Sequence, residues 1–516
     1  MKNTKEKSYS FLYNPRHYSE IELWKNITDD EWYDPLWQLR NSIRTVDQLR
    51  KVIRLNDHQA FEINSVIETL QKEGKEPFRI TPYYASLMSR DPFHPKLLEG
   101  DKEHRRLDPV FWQSVPTPAN TLFPNAGKEG AMSEGKRTYG SAYQRYPNRV
   151  ALFVAENTSC ASYCVHCQRA KSLDTTTDVN LNELNKGLYY ISCNKNVDEV
   201  LVTGGDALRI SEKRLKYVLE ELSKIDHIRS IRIATRVPVV LPMAVTGNIL
   251  KLIKLSANKY TQGPEKYVYF MTHINHYQEI TEDLFQAVKL IRNHGFTIRN
   301  QTVLLNHVND YYKTLAETFR RMFWVGVHPY YLLQCHKEKG ICHFITPVQI
   351  GELYMKHLQG WVSGVTRPSY AVNIEGGGGK VLLMPSGYDL MGKKIFDIEK
   401  KISESFATIQ TWDGKIIANY EALGRATKDE YDEAVKRMDR FIGRKGVFVP
   451  KIIIVDEKGN RIETTNRTRM PNVSCLKKTY LLNYEAVKGE LPLNNPNDIS
   501  DMLDKGFVKS KFSKNS

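Results

Sequence analysis

Cysteine is scarce in this chain, with seven residues among 516. So few thiols in so long a protein exclude a disulfide framework and point to a reducing compartment where thiolates stay free. Long apolar runs are missing as well. No stretch approaches the roughly 18 apolar residues that would span a bilayer, and the N-terminus from Met1 to Glu20 carries basic residues without the apolar region of a secretory signal. A cytoplasmic location with no membrane contact is expected. The formal net charge of +15 raises the question of nucleic acid, yet the basic residues are dispersed. Only the tail from Lys505 to Lys514 gathers them, and a charged terminus is ordinarily a solvated end. Nucleic-acid binding is therefore not expected, and part of the positive surplus is free to face anionic small molecules. No internal repeat is visible, and a hydrophobic content of 41% suffices for one large domain with appendages.

Three of the seven cysteines stand together in Cys160-Ala161-Ser162-Tyr163-Cys164-Val165-His166-Cys167. Thiolates spaced C-x3-C-x2-C can hold three irons of a 4Fe-4S cubane and leave the fourth iron open for chemistry. Electron-transfer clusters are normally closed by four cysteines, and structural zinc takes four Cys or His ligands. Neither pattern is completed nearby, because Cys193, Cys335, Cys342 and Cys475 stand singly. His166 inside the loop keeps zinc, or an inert loop, as the alternative.

After the first 140 residues apolar runs alternate with amphipathic segments. Ala151–Ala155, Glu199–Thr203, Ser230–Ala234, Tyr267–Thr272, Thr297–Leu304 and His328–Leu333 read as strands. Ser211–Lys224, Thr281–Asn293 and Tyr312–Trp324 read as helices. The alternation predicts an α/β fold with a parallel sheet and crossover helices. Ligands of such folds gather beyond the carboxyl ends of the strands. The cysteine loop follows the first strand and Gly204-Gly205-Asp206 the second. Paired glycines there let the backbone approach a ligand, and the carboxylate can receive an ammonium; a strand-ending turn is the competing reading. Residues 1–140 are expected to be mainly helical and to pack on the core (141–390). Residues 391–516 read as a small α+β appendage with a basic tail, its strand signal lying in Gly446–Val455.

Asn373-Ile374-Glu375-Gly376-Gly377-Gly378-Gly379-Lys380 is the other conspicuous motif. Four glycines permit a backbone shape that brings the lysine amine to a deep position. It is not a P-loop, since no Ser or Thr follows Lys380 and the glycine spacing is wrong. A flexible loop with a solvated lysine is the plain alternative.

These motifs resemble those of the radical S-adenosylmethionine (SAM) superfamily and, within it, the lysine 2,3-aminomutase family, over roughly Trp32 to Tyr388. The resemblance implies a partial (β/α)6 TIM-type barrel with an open side and a 4Fe-4S cluster on Cys160, Cys164 and Cys167. It implies SAM binding by Gly204, Gly205, Asp206, Arg236, His273 and Gln301. Lys380 matches the lysine that forms the Schiff base with pyridoxal 5′-phosphate (PLP), Arg145 and Arg149 match the phosphate ligands, and Arg169 matches the clamp on the substrate α-carboxylate. The activity implied is an isomerase reaction: SAM is cleaved reductively to methionine and a 5′-deoxyadenosyl radical, a β-hydrogen is removed, and the α-amino group moves to the β-carbon. A small-molecule amino acid substrate, a reducing electron donor such as flavodoxin or ferredoxin, and room for a homo-oligomer come with that resemblance.

The chain departs from the pattern where the substrate side chain would sit. Lysine 2,3-aminomutases hold the terminal ammonium with two aspartates, and the matching positions here are His336 and Asn373, aligned to Lys380 without gaps. A buried ammonium left without both carboxylates costs several kcal/mol. The glutamate 2,3-aminomutase branch pairs a lysine with an asparagine there. The expected substrate is therefore not lysine but glutamate or another polar amino acid, since a histidine can donate to a carboxylate, an amide or a hydroxyl. Lys337 is either an added cation or a solvated residue, and Leu333 replaces a tyrosine of the lysine enzymes. The late Cys-x-Cys-x2-Cys zinc cluster of the clostridial-type enzyme is missing, so zinc is not expected. The remaining alternatives are a lysine 2,3-aminomutase, a catalytically degenerate cluster protein of the same fold, and an enzyme acting on a peptide lysine.

Overall fold

The computed structural model describes residues 9–74, 78–95, 107–128, 138–155, 160–167, 179–383, 406–410 and 415–465. Arg169, Cys475 and the basic tail lie outside the described residues.

Nine strands in sequential order make the central sheet: β1 (Ala142–Tyr146), β2 (Arg149–Phe153), β3 (Glu199–Thr203), β4 (Ser230–Ala234), β5 (Tyr267–Thr272), β6 (Thr297–Leu304), β7 (His328–Gln334), β8 (Ser369–Ile374) and β9 (Gly379–Leu382). Strands β2 to β8 run parallel, while β1 and β9 pair antiparallel at the two edges. A 16-residue helix, α1 (Asp57–Lys72), precedes the sheet. The crossovers carry α2 (Leu181–Cys193), α3 (Glu212–Ser223), α4 (Gly247–Asn258), α5 (Glu282–Asn293), α6 (Tyr312–Trp324) and α7 (Val348–Trp361). Each of α2 to α5 starts at a residue whose side-chain oxygen accepts an otherwise unpaired backbone N–H: Asn180, Ser211, Thr246 and Thr281. Their apolar stripes face the sheet, and along β4 and β6 buried residues alternate with more exposed ones.

The α/β expectation of a partial (β/α) barrel therefore holds, with six crossovers between seven parallel strands. The first strand lies at Arg149–Phe153 rather than Ala151–Ala155, in register with Glu199–Thr203. Strand β8 was not foreseen, because its short run leads directly into the glycines and has no turn signal to separate the two. The sheet is nearly closed: across its seam the Lys380 backbone N–H on β9 donates to the Tyr146 hydroxyl on β1 at 2.6 Å.

Before the barrel, α1 and several short helices begin with capping boxes at Thr28, Thr45 and Asn56. After it, β10 (Phe406–Gln410) and β11 (Ile416–Glu421) form a hairpin, and β12 (Gly424–Thr427), β13 (Ile452–Val455) and β14 (Arg461–Thr464) form a small sheet with α8 (Lys428–Ile442). Helix α8 ends on Gly443 in the left-handed conformation, φ 76°. Of the strand signal in Gly446–Val455 only the last four residues pair as a strand. The preceding residues instead engage the barrel: Asn306 donates to the Val449 carbonyl at 3.2 Å, and buried Lys451 pairs with Asp310 at 3.3 Å. No described helix is long and apolar enough to cross a membrane.

Candidate active site

The cysteine loop leaves the carboxyl end of β2 and is fixed from the N-terminal region. Thr81 N–H donates to Ser162 Oγ at 3.0 Å, Tyr163 N–H to the Arg79 carbonyl at 2.8 Å, and Val165 N–H to the Gln113 carbonyl at 3.0 Å. A turn bond from Cys167 N–H to the Cys164 carbonyl tightens the loop. None of Cys160, Cys164 and Cys167 is in a disulfide. Burial pushes the Cys164 thiol up, and the Arg236 guanidinium pulls in the opposite direction.

Arg236, at the end of β4, is the buried hub of this region. Its Nη1 donates to Cys164 Sγ at 2.6 Å, its Nη2 to Glu279 Oε1 and the Tyr84 hydroxyl at 2.7 Å each, and its Nε to the His273 carbonyl at 3.2 Å. Burial opposes its charge, but Cys164, Tyr84 and Glu279 outweigh that and hold it firmly cationic. Glu279 is fully buried; burial works against its charge too, but Arg236, the Asn275 N–H and the Tyr84 hydroxyl keep its carboxyl below the usual range. Sequence reasoning missed Tyr84 and Glu279. Tyr84 lies in a short helix before the barrel, and Glu279 in an unremarkable turn after β5.

His273, at the end of β5, donates from Nδ1 to the Gln301 carbonyl at 2.8 Å. That bond leaves Nε2 as the acceptor, facing Asn275 Nδ2 and His166 Nε2 at 3.1 Å each. Burial, then the nearby Arg236 charge, push His273 down to about 4, and burial pushes His166 well down as well. Both rings are neutral near neutral pH. Cys164 Sγ and ring nitrogens of His166 and His273 lie within 4.8 Å of one another, so the zinc alternative retains three ligand atoms.

Gly204 adopts φ 110° and Gly205 φ 57°, backbone that other residues rarely take. A Cβ on Gly204 would press on the backbone of Val154 and Ala155 at 3.2 Å, so the turn packs directly against the exit of β2. Buried Asp206 accepts from Leu208 N–H at 3.0 Å and Arg236 N–H at 2.6 Å. Its carboxylate thus stitches the ends of β3 and β4, a task the sequence did not reveal.

The second half of the site lies at the seam. Residues 144–149 form the tip of the β1–β2 hairpin. The Arg149 guanidinium lies over the Tyr146 ring at 4.1 Å, and Arg145 Nη2 donates to the Tyr143 hydroxyl at 2.8 Å. Lys380 Nζ lies 5.9 Å from the Tyr331 ring centre on β7. Tyr146 therefore touches both the Arg149 cation and the Lys380 backbone. Gly376, at φ 68°, and Gly379, at φ 85°, turn the chain from β8 into β9, which sets Lys380 opposite Asn373 in antiparallel register.

His336 and Asn373 face each other, with Asn373 Nδ2 3.5 Å from His336 Nε2. Asn373 is buried and its Oδ1 has no partner. Lys337 is not solvated: its Nζ donates to the Glu421 carbonyl of β11 at 3.0 Å and pairs with Glu375 at 3.8 Å. Leu333 is buried. The site residues foreseen from sequence thus fall into two groups, Cys160, Cys164, Cys167, Gly204, Gly205, Asp206, Arg236, His273 and Gln301 around the cysteine loop, and Arg145, Arg149, His336, Asn373 and Lys380 around the seam.

A parallel barrel with thiols at one strand end and a lysine at the seam defines an isomerase of the aminomutase class once its relatives are considered. The chain is 35% identical to the L-lysine 2,3-aminomutase of Bacillus subtilis (strain 168) over 377 residues, 72% of this chain and 74% of the relative. It is 34% identical to the L-lysine 2,3-aminomutase of Clostridium subterminale over 71% of this chain and 81% of the relative. With the glutamate 2,3-aminomutase of Clostridioides difficile (strain 630) it shares 31% identity over 76% of this chain and 83% of the relative. No protein-family profile matches the chain. The chain belongs to the lysine 2,3-aminomutase family.

Proposed function

We propose that this protein is a radical SAM, PLP-dependent amino acid 2,3-aminomutase whose substrate is not lysine but glutamate or another amino acid with a polar side chain. The carrying observation is the 3.5 Å juxtaposition of His336 and Asn373 beside Lys380, with Asn373 in direct register with that lysine. These two polar groups can donate to a carboxylate, amide or hydroxyl, whereas the ammonium of lysine would find no carboxylate at either position. Lys337, already drawn to Glu421 and Glu375, is committed elsewhere.

The groups present suit the cofactors. Three cysteines without a disulfide, one of them facing a buried guanidinium, suit an anionic iron-sulfur cluster. The glycine turn after β3 offers backbone that SAM can approach closely, and His273, held by the Gln301 carbonyl, stands at the end of β5. Lys380 with Arg145 and Arg149 suits an aldehyde cofactor bearing a phosphate. When bound, the cluster and SAM supply a hydrogen-abstracting radical, and PLP supplies the conjugated ring that carries the migrating amine. The chain's own residues bind and orient: Arg145 and Arg149 neutralise phosphate, Arg169 forks the α-carboxylate, and His336 with Asn373 reads the side chain.

Restoring carboxylates tests this reading. The double substitution His336→Asp with Asn373→Asp is expected to raise the lysine-to-glutamate ratio of kcat/KM at least about tenfold, one such contact being worth on the order of 1.4 kcal/mol. An unchanged ratio contradicts the assignment of these two residues.

A further inference from the structure

Arg236 would ordinarily be grouped with the SAM ligands, but each of its three guanidinium nitrogens already has a protein partner. Nε is held by the His273 carbonyl, Nη2 by Glu279 and Tyr84, and Nη1 points at Cys164 Sγ, 2.6 Å away. The guanidinium also lies over the Tyr84 ring, 5.0 Å from its centre. Tyr84 donates in turn to Glu279 Oε1 at 2.8 Å, and Glu279 Oε2 takes the backbone N–H groups of Asn275 at 2.7 Å and His276 at 2.9 Å. The Arg236 backbone N–H is fixed by Asp206. The side chain is therefore locked at both ends with one N–H aimed at a cysteine sulfur.

We propose that Arg236 is a redox-positioning residue: held by Glu279 and Tyr84, it donates to the Cys164 thiolate and raises the reduction potential of the cluster. The inference rests on the reading of Cys160, Cys164 and Cys167 as cluster ligands. Reduction adds one electron to the cluster, and a fixed cation in hydrogen-bond contact with a ligand sulfur stabilises the more negative, reduced state. Glu279 acts in the opposite direction, since its negative charge tempers that of Arg236. The network thus sets the potential by a balance of one buried cation and one buried anion, and its two members make opposite predictions.

The test uses the full chain, reconstituted anaerobically with iron and sulfide, and follows the EPR signal of the reduced cluster during a potentiometric titration. Iron and sulfide per chain are assayed on the same samples. Arg236→Met is expected to keep the cluster content of the unsubstituted protein and to lower the reduced-to-oxidised ratio at a fixed potential by about tenfold, a negative shift of about 59 mV for a one-electron couple. Glu279→Gln is expected to shift the potential in the positive direction, and Arg236→Lys to fall between Arg236→Met and the parent. If Arg236→Met does not assemble a cluster, the Glu279→Gln and Tyr84→Phe variants decide, the latter by a smaller negative shift as Arg236 loses an anchor. Full clusters with unchanged potentials overturn the proposal. An unsubstituted protein that takes up no cluster overturns the cluster reading itself, and the proposal with it.

Discussion

Asn373 is buried beside His336 with one acceptor unpaired, and an unpaired buried acceptor costs about 1–3 kcal/mol until a ligand satisfies it. An open Oδ1 suits an amide or hydroxyl donor of a ligand, whereas a carboxylate would have to be met by Asn373 Nδ2 or the His336 ring. Lys380 stands in antiparallel register with Asn373, so the two side chains leave the same face of the β8–β9 pair. Replacing Lys380 by alanine is expected to abolish turnover, by at least about a thousandfold, while leaving the thermal transition of the cofactor-free protein unchanged. Borohydride reduction of the PLP-loaded parent, followed by peptide mass mapping, is expected to place the pyridoxyl group on Lys380; labelling of another lysine contradicts the assignment. The glycine run and the cysteine spacing singled out their positions in the sequence, because both are local patterns. Glu279, Tyr84 and Tyr146 were not singled out, since each acquires its role only by meeting a partner distant in sequence.

Among the elements, the packing of α7 on β8 bears most directly on the side-chain reader. Tyr370 of β8 donates its hydroxyl to Gln334 Oε1 at 2.6 Å, and Gln334 closes β7 two residues before His336. Gly351 of α7 lies flat against that ring, and a methyl group there would collide with it. Gly351→Ala is expected to destabilise the protein by about 1–3 kcal/mol, read as a lowered Tm, because the hydroxyl's bond prevents the ring from swinging aside. Unaltered stability would show that the helix shifts freely. The parallel strands were readable as apolar runs, yet β8 was missed and the β1–β2 hairpin was not foreseen. The hairpin forms one edge of the sheet and β8 lies next to the other edge strand, β9, where identity depends on what a strand pairs with more than on a pattern of its own.

For the molecule as a whole, the segment from Gly446 to Lys451 ties the appendage to the barrel. Phe448 stacks on His307 at 6.0 Å, and Trp112 meets both of these rings and His343. His343 is buried, and burial followed by repulsion from His307 pushes it down to about 3. In the unfolded chain it would titrate near 6.5. A depressed histidine costs nothing above that value, and stability is lost as pH falls below about 6.5 because only the unfolded state takes the proton. Its share between pH 6.5 and 5 is about 2 kcal/mol. His343→Leu is expected to flatten the fall in Tm over that range; an unchanged slope would show that other groups carry it. The order of helices and strands conveyed the parallel sheet, and the family resemblance conveyed its partial barrel. The docking of residues 447–451 was not legible, since an apolar run reads alike whether it pairs as a strand or covers another surface.

The central claim, that the chain is an aminomutase for a polar amino acid other than lysine, is tested most directly by anaerobic turnover. The protein, reconstituted with iron, sulfide and PLP and chemically reduced, is incubated with SAM and a panel of amino acids, and β-amino acid products are scored by mass spectrometry. Conversion of glutamate or another polar member, with lysine converted at least about a hundredfold less efficiently, is the expected result. Efficient conversion of lysine would contradict the account and would require another group to replace the carboxylates missing at positions 336 and 373.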